Sequence, residues 1–314
     1  MSADGHLAIN ACFAKGQISK LSVTLDRPAV ARLFIGKTAA AVIATVPVLY
    51  SLCSRAQGLA ARAAFAAATG EPVPEPDNRA LWLEFLHENL WRLLLDWPLA
   101  LGLPSAKDEF VAWRAQRGGE QCIPLTRTLV HGQLHSLVEK CLDQLLEYHQ
   151  PQALRQAAQG GAEESQAAAI LSIPAPDDWL AHWRGELTTS PALRRPTSPA
   201  AALRQRLAEV TTATTALAAG APYPLAAAGG SGWGVGQALT ARGVLTHAVQ
   251  LAGGRVSNYQ VWAPTDFHFS DAGGLQALTD GVTFATPAAA RAALHLAVLA
   301  LDPCLPYEVE LRDA

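Results

Sequence analysis

Cysteine is the residue type through which this 314-residue chain could most readily bind a metal, and the chain contains five. They are scattered along the sequence, at Cys12, Cys53, Cys122, Cys141 and Cys304. An odd number without a CxxC pair predicts free thiols or metal ligands and not a disulfide framework. Cys12, Cys122 and Cys141 fall at apolar positions of predicted strands and helices, where a thiol packs as a small core side chain.

Other catalytic patterns are weak. The chain has no GxSxG sequence for a serine nucleophile and no recognisable cysteine–histidine signature, so a hydrolase has no specific support. His131, His135 and Glu139 are spaced for one helix face, but without an HExxH sequence a polar stripe explains them better than a metal site.

A glycine-rich stretch at residues 229–236 contains GxGxG spacing. The stretch neither follows a clear βαβ strand nor opens a helix, so a dinucleotide site is disfavoured. Glycines in a strand more often mark a place where another backbone passes close by, which is the interpretation we favour.

The composition describes a globular protein, with 50% apolar, 16% charged and 7% aromatic residues. A net charge of −3 offers no basic field for nucleic acid or an anionic bilayer, so neither is an expected partner. The apolar stretch from Thr38 to Cys53 is short for a bilayer span and contains Pro47, and we interpret it as buried. The start of the chain lacks a secretory pattern, which predicts a cytoplasmic protein.

The elements that position these residues are predicted to be mostly helical. Alternation around Lys15-Gly16 predicts a β-hairpin over residues 6–25, and a second strand pair turns at Gly253-Gly254. Helices are expected between residues 27 and 69 with a break near 45–47, and over 78–97, 104–147 and 286–301. Polar linkers are expected at 150–166 and 190–199. The fold class is therefore α+β and predominantly helical.

A series of motifs from both ends of the chain resembles the large, metal-bearing subunit of nickel-iron hydrogenases, in the same order. The motifs are Asp4-Gly5-His6-Leu7, Cys53, Asp96, Arg242-Gly243, Asn258-Tyr259-Gln260, Pro264-Thr265 and Asp302-Pro303-Cys304. The resemblance covers about residues 1–97 and 229–314. It implies one hydrogenase large-subunit-like domain over 1–314, built on a helix bundle with small sheets near the termini, with a variable helical or linker insert around 150–228.

The chain departs from that family at the metal ligands. The resemblance places Tyr50 and Tyr307 where the family has two of its four nickel-binding cysteines, and a neutral phenol does not replace a thiolate on nickel. It also places Glu310 where the family has its last metal-binding histidine. A tetrathiolate nickel site is therefore not expected.

A partial site remains. The resemblance implies that Cys53 and Cys304 are two thiolate ligands for iron, the number with which the family tethers its iron fragment. It further implies that Arg242 and the Pro264-Thr265 turn donate hydrogen bonds to bound cyanides, and that Asp96 and Asp302 orient Arg242.

Accessory proteins of this kind are the hydrogenase large-subunit-like assembly factors of the HupK/HoxV type. This resemblance implies a non-catalytic scaffold or chaperone that holds an Fe(CN)2(CO) unit, without nickel, before transfer to the hydrogenase large subunit. It implies as partners the maturation chaperones of the HypC/HypD type and the large-subunit precursor.

Three alternatives remain open at this point. The chain could be a metal-free interaction module of the maturation machinery, or a paralogue that kept its buried polar residues for packing alone. A mononuclear-iron oxidoreductase is disfavoured, because the chain has no cysteine series for electron-delivering clusters.

Overall fold

The computed structural model describes residues 5–73, 75–148, 171–191 and 193–313, and the predominantly helical α+β fold is confirmed. The helices are α1 (Ala39–Leu49), α2 (Ser54–Thr69), α3 (Asn78–Trp91), α4 (Trp97–Ala100), α5 (Lys107–Gln116), α6 (Cys122–Thr128), α7 (His135–Tyr148), α8 (Pro176–Trp183), α9 (Pro199–Ala219), α10 (Pro264–His268), α11 (Gly273–Thr279) and α12 (Pro287–Leu301). A 3-10 turn covers Val30–Phe34, and π-helical turns cover Arg92–Asp96 and Leu129–Leu134. None of the helices in these residues is long and apolar enough to cross a bilayer.

The two ends of the described chain meet in a three-stranded sheet. The predicted hairpin is confirmed as β1 (His6–Ala14) and β2 (Gln17–Asp26), which pair antiparallel. The last strand, β7 (Tyr307–Asp313), pairs parallel with β1, so that Leu7 lies opposite Tyr307. This pairing brings the segment just before β7, which contains Cys304, to the segment just after β2, which contains Arg27.

The second sheet is antiparallel, in the order β3 (Leu225–Gly230), β4 (Trp233–Thr240), β5 (Gly243–Ala252) and β6 (Arg255–Trp262). The predicted strand pair with a turn at Gly253-Gly254 is confirmed as β5 and β6.

The glycines of β4 allow helix α2 to lie directly on this sheet. A Cβ added to Gly234 would lie 2.0 Å from the Ala64 carbonyl oxygen, and one added to Gly236 would lie 2.2 Å from that of Ala60. Side chains at these positions would push the helix away. The close backbone approach expected from the glycine-rich stretch is therefore found, and it fixes the start of α2 over β5.

The predicted helix break near 45–47 is wrong in position. Helix α1 continues through Pro47 to Leu49, and the chain turns at residues 50–53. Proline removes only its own N–H from the helical pattern, and Tyr50 N still donates to Val46 O at 3.0 Å. Cys53, expected in the first turns of α2, instead caps the N-terminus of that helix.

The central core is formed mainly by α3, α9 and α12, with the π-helical turn 92–96 continuing α3. Within the region expected to be an insert, α9 is well packed: Leu203 and Val210 are fully buried. The predicted linker 150–166 lies outside the described residues.

Candidate functional site

Cys53 and Cys304 both lie near the buried guanidinium of Arg242. Cys53 precedes α2, and Cys304 lies in the short segment between α12 and β7. Both thiols interact electrostatically with Arg242, and Cys304 is among the groups that raise the pKa of Cys53. The fold therefore brings the two predicted thiols into one neighbourhood from distant parts of the sequence.

Cys53 is partly exposed as a residue, but the surrounding protein desolvates its thiol. Burial raises its pKa to about 12, against the opposing effects of Arg242 and of a hydrogen bond from Gln57. Gln57 Nε2 donates to Cys53 Sγ at 3.6 Å. The thiol is therefore protonated at neutral pH, and a metal must displace that proton to bind.

Gln57 is held in turn by a buried hydrogen-bonded chain. His247 Nε2 donates to Gln57 Oε1 at 2.7 Å, and the Tyr259 hydroxyl donates to His247 Nδ1 at 2.7 Å. Burial lowers the pKa of His247 to about 3, so the imidazole is neutral. This chain fixes the orientation in which the Gln57 amide presents its N–H to Cys53.

The Cys304 sulfur is surrounded by stronger donors. Arg27 Nη2 donates to Sγ at 2.8 Å, and the Thr265 hydroxyl donates to it at 3.3 Å. The Thr265 oxygen also accepts from the Cys304 backbone N–H at 3.2 Å. Pro264 opens the short helix α10 and so places Thr265, which is fully buried, against the cysteine.

Arg27 was not predicted from the sequence. Its guanidinium is fixed by Asp266, whose Oδ1 lies 3.2 Å from Arg27 Nη1. Asp266 is fixed by the Ala263 N–H, which donates to its other oxygen at 3.0 Å. Helix α10 thus positions both polar partners of Cys304: Thr265 directly, and Arg27 through Asp266.

Arg242 is the buried cation that the two thiols share. Its Nη2 donates to Glu88 Oε2 at 3.2 Å, and its Nε lies 3.5 Å from Asp302 Oδ2. Burial disfavours its charge, but Asp302, Glu88 and the two cysteines outweigh that effect and raise its pKa. Within the described part of the chain, Nη1 makes no hydrogen bond although it is buried. A buried N–H without an acceptor is costly, and here it is available to a ligand.

Asp302 gathers three arginines at the end of α12. It adopts the left-handed conformation (φ 49°), which turns the chain out of the helix towards Cys304. Its oxygens accept from Arg92 Nε at 2.6 Å and Arg206 Nη2 at 3.0 Å, besides the contact with Arg242. Burial alone would raise the pKa of Asp302, but the three guanidiniums lower it to about 2. The carboxylate is therefore ionised at any physiological pH.

The prediction that Asp96 orients Arg242 is not supported by the contacts. Asp96 accepts a hydrogen bond from Arg92, four residues earlier on the same helical segment. A partner one helical turn away is within reach without any long-range constraint. Glu88, which the sequence analysis did not select, occupies the predicted role beside Asp302.

Tyr50 and Tyr307, which the sequence resemblance places at cysteine positions of the family, stay neutral. Burial raises the pKa of Tyr50 to about 12 and also raises that of Tyr307. Both lie close to the site, because Tyr50 interacts with Arg27 and Asp266, and Tyr307 with Arg92 and Asp96. In the described ranges, no three His, Cys, Asp or Glu side chains form a metal-binding group.

A cavity of about 340 Å³ adjoins Arg242, between the turn that joins β4 to β5 and the end of α12. Its lining includes Arg242, Pro264, Asp302, Arg206 and His268. Space therefore exists next to the residues that surround the thiols.

This arrangement of helices, sheets and chain ends is the fold of the nickel-iron hydrogenase large subunits. The as-isolated, oxidised Ni-Fe-Se hydrogenase of D. vulgaris Hildenborough superposes with a TM-score of 0.62 over 93% of this chain and 94% of that chain, at 11% identity. The NAD+-reducing [NiFe]-hydrogenase in the H2-reduced state gives a TM-score of 0.52 over 92% of this chain and 93% of that chain, at 13% identity.

Sequence comparison defines the family more narrowly. The chain is 30% identical to the hydrogenase expression/formation protein HupV of Azotobacter chroococcum mcd 1 and 31% identical to HupK of Azotobacter vinelandii. Each alignment covers 99% of this chain and 99% of the relative. No family model matches the sequence. The chain belongs to the family of hydrogenase expression/formation proteins that includes HupK, HupV and HoxV.

Proposed function

We propose that this protein is a non-catalytic scaffold in nickel-iron hydrogenase maturation. It holds an Fe(CN)2(CO) unit on Cys53 and Cys304 before the unit passes to the hydrogenase large subunit. The observation that carries the proposal is Arg242, a buried cation that interacts with both thiols and keeps the Nη1 N–H groups free of protein acceptors among the described residues.

The donor set suits this cargo better than a bare metal ion. Two thiols and no third protein ligand in the described residues leave most positions of a bare ion unfilled. An iron that brings three diatomic ligands of its own needs few protein donors, and thiolates donate electron density to such an iron. The cargo therefore complements what the chain supplies.

The surrounding donors suit the anionic ends of cyanide ligands. The nitrogen of an iron-bound cyanide accepts hydrogen bonds, and bonds from a guanidinium are stronger than those from neutral donors. Arg242 supplies buried N–H groups, and the Pro264-Thr265 turn supplies a further polar group. Asp302 and Glu88 hold Arg242 in place, and Arg27 donates a hydrogen bond to the Cys304 sulfur.

The proposal includes the partners and the compartment. The unit is delivered by maturation chaperones of the HypC/HypD type and is received by the precursor of the hydrogenase large subunit, in the cytoplasm. The names of the relatives, which are hydrogenase expression/formation proteins, support this role.

Infrared spectroscopy tests the proposal. Protein purified from cells that contain the maturation machinery is expected to show cyanide and carbonyl stretches and about one iron per chain. Cys53→Ala and Cys304→Ala are expected to remove both signals while the thermal unfolding midpoint changes little. Cys12→Ala is the matched control, because Cys12 is also a partly exposed free thiol.

Several outcomes would contradict the proposal. Absence of these bands from the wild-type protein, with iron well below stoichiometry, would favour a metal-free interaction module. Equal loss of iron in all three cysteine variants would indicate that the thiols act through the fold. Hydrogen-dependent reduction of a dye by the purified protein would instead indicate an oxidoreductase.

A further inference from the structure

Exposed aliphatic side chains are concentrated beside Cys53. Of the eleven large apolar side chains that are exposed in the described residues, five lie between residues 33 and 52. They are Leu33 (60% exposed), Ile35 (46%), Val48 (75%), Leu49 (39%) and Leu52 (44%), and we call them the 33–52 patch. Its two halves flank one buried cluster that contains Phe34, Val42 and Val46. A concentration of this kind is typical of a surface that another protein covers.

A groove of about 320 Å³ continues from the patch along helix α2. Its lining includes Pro47, which is next to Val48, together with Arg55, Arg62 and Asp77. Gly58 forms part of the groove, because a Cβ at that position would lie 3.1 Å from Pro47 Cγ and 3.5 Å from Arg62 Nη1. The patch and the groove are thus adjacent, and both border the residues that lead into Cys53.

The groove presents a cation without a partner. Arg62 is partly buried, which lowers its pKa, yet it makes no hydrogen bond or ion pair within the described part of the chain. From residue 27 to residue 70 the sequence contains four arginines and one lysine and no Asp or Glu, although the whole chain has a net charge of −3. The lining of the groove contains one acidic residue, Asp77, against two arginines, so the groove keeps a net positive charge, and a partly desolvated arginine is stabilised by a further carboxylate.

We propose that the 33–52 patch and the groove together dock the protein that delivers the iron unit. This partner presents aliphatic side chains to the patch and an acidic residue to Arg62, in keeping with the apolar and cationic character of the surface. The inference rests on the proposed function for the identity of the partner. Docking here places the partner against the segment that ends in Cys53, so it links partner binding to the thiol that the iron must reach.

The test measures binding between the full-length protein and a purified HypC/HypD-type complex that carries the iron unit. Arg62→Glu and Val48→Asp are each expected to weaken the dissociation constant by about tenfold or more at 50 mM NaCl, because one reverses the charge and the other places a charge in the apolar contact. Arg62→Lys is expected to retain most of the affinity. The matched controls are Arg114→Glu and Val111→Asp on α5, both exposed, which are expected to bind within about twofold of the wild type. Unchanged thermal midpoints establish that the variants fold.

The outcomes separate this inference from the proposed function. The docking surface would be refuted if the patch and groove variants bound like the wild type, or if the wild type did not bind the complex. Either result would hold even if infrared bands showed the iron unit on the two thiols. If Arg62→Glu abolished binding but the wild-type protein never took up iron, the docking surface would be supported and the iron-holding role would be refuted. A wild-type dimer that Val48→Asp converts to a monomer would assign the patch to a second copy of this chain and overturn the inference.

Discussion

The two thiols of the candidate site lie in contrasting surroundings. Cys53 has one neutral amide donor, at 3.6 Å, and burial raises its pKa to about 12. Cys304 has a guanidinium donor at 2.8 Å and a hydroxyl donor at 3.3 Å, both fixed by neighbouring residues. The site is therefore asymmetric: the Cys304 sulfur accepts two hydrogen bonds, one of them from a guanidinium, and the Cys53 sulfur accepts one long hydrogen bond from an amide.

This contrast indicates a division of roles within the pair. The Cys304 sulfur already accepts hydrogen bonds from Arg27 and Thr265, and both donors can keep these bonds to a metal-bound sulfur. The Cys53 thiol must lose its proton when iron arrives, and an apolar environment opposes the unligated thiolate. Cys304 is thus the expected first point of attachment, and Cys53 the ligand that closes the site.

The first prediction compares the charge networks of the two sides. Asp302→Asn, next to the Cys304 segment, leaves the buried Arg206 and Arg242 and the partly buried Arg92 without their shared carboxylate and is expected to lower the free energy of unfolding by about 3–5 kcal/mol. Glu84→Gln, beside Cys53, weakens only the contacts of Glu84 with the backbone N–H groups of Arg55 and Ala56, and is expected to cost about 1 kcal/mol. Urea unfolding measures the free energy of unfolding of both variants. Equal decreases would contradict the difference between the charged surroundings of Cys304 and the more neutral surroundings of Cys53.

The second prediction concerns the neutral chain behind Cys53. Because burial lowers the pKa of His247 to about 3, the unfolded chain binds a proton below pH 6.5 that the folded chain does not bind until about pH 3. The free energy of unfolding should therefore decrease as the pH is lowered through that window, and His247 should account for about 2 kcal/mol of the decrease between pH 7.5 and pH 5.0. His247→Gln is expected to reduce the fall by that amount, whereas His131→Gln, at an exposed position, leaves it unchanged. An identical pH dependence in His247→Gln and wild type would refute the neutral assignment.

The third prediction compares the two thiols directly. Iodoacetamide reacts with the thiolate, and burial raises the pKa of Cys53 to about 12, so Cys53 should be labelled at least tenfold more slowly than Cys304 at pH 7.5, as measured by mass spectrometry of the digested protein. Arg27→Gln should change the labelling rate of Cys304 and leave that of Cys53 unaffected, because Cys304 is the one of these two thiols to which Arg27 donates a hydrogen bond. Faster labelling of Cys53 would reverse the proposed order of attachment.

Part of this site could be predicted from sequence because its residues stand in short ordered motifs. The structure brings Cys53, Cys304 and Asp302 near Arg242 and places Thr265 against Cys304; their roles in holding iron stay a prediction. The hairpin and the second strand pair were found because their alternation and turn glycines are local signals.

The missed residues depend on contacts that no local pattern encodes. Arg206 reaches Asp302 from α9, in a region where no motif could be aligned, and Arg27 reaches Cys304 only because β7 pairs with β1. One signal was available: charged residues at 84, 88, 92 and 96 recur every four positions along an otherwise apolar helical segment. That spacing places them on one helix face, and it explains both why Glu88 reaches Arg242 and why Asp96 pairs with Arg92 instead.

The most direct test of the central claim is the infrared spectrum of the Arg242→Leu variant, purified with the maturation machinery beside the wild type. We expect cyanide stretches in the wild type that shift and weaken in the variant, with the iron unit lost on gel filtration, while binding of bare ferrous ion to the two proteins stays equal. Identical cyanide bands and equal retention in both proteins would contradict the claim that this buried guanidinium holds the cyanide-bearing unit between the two thiols.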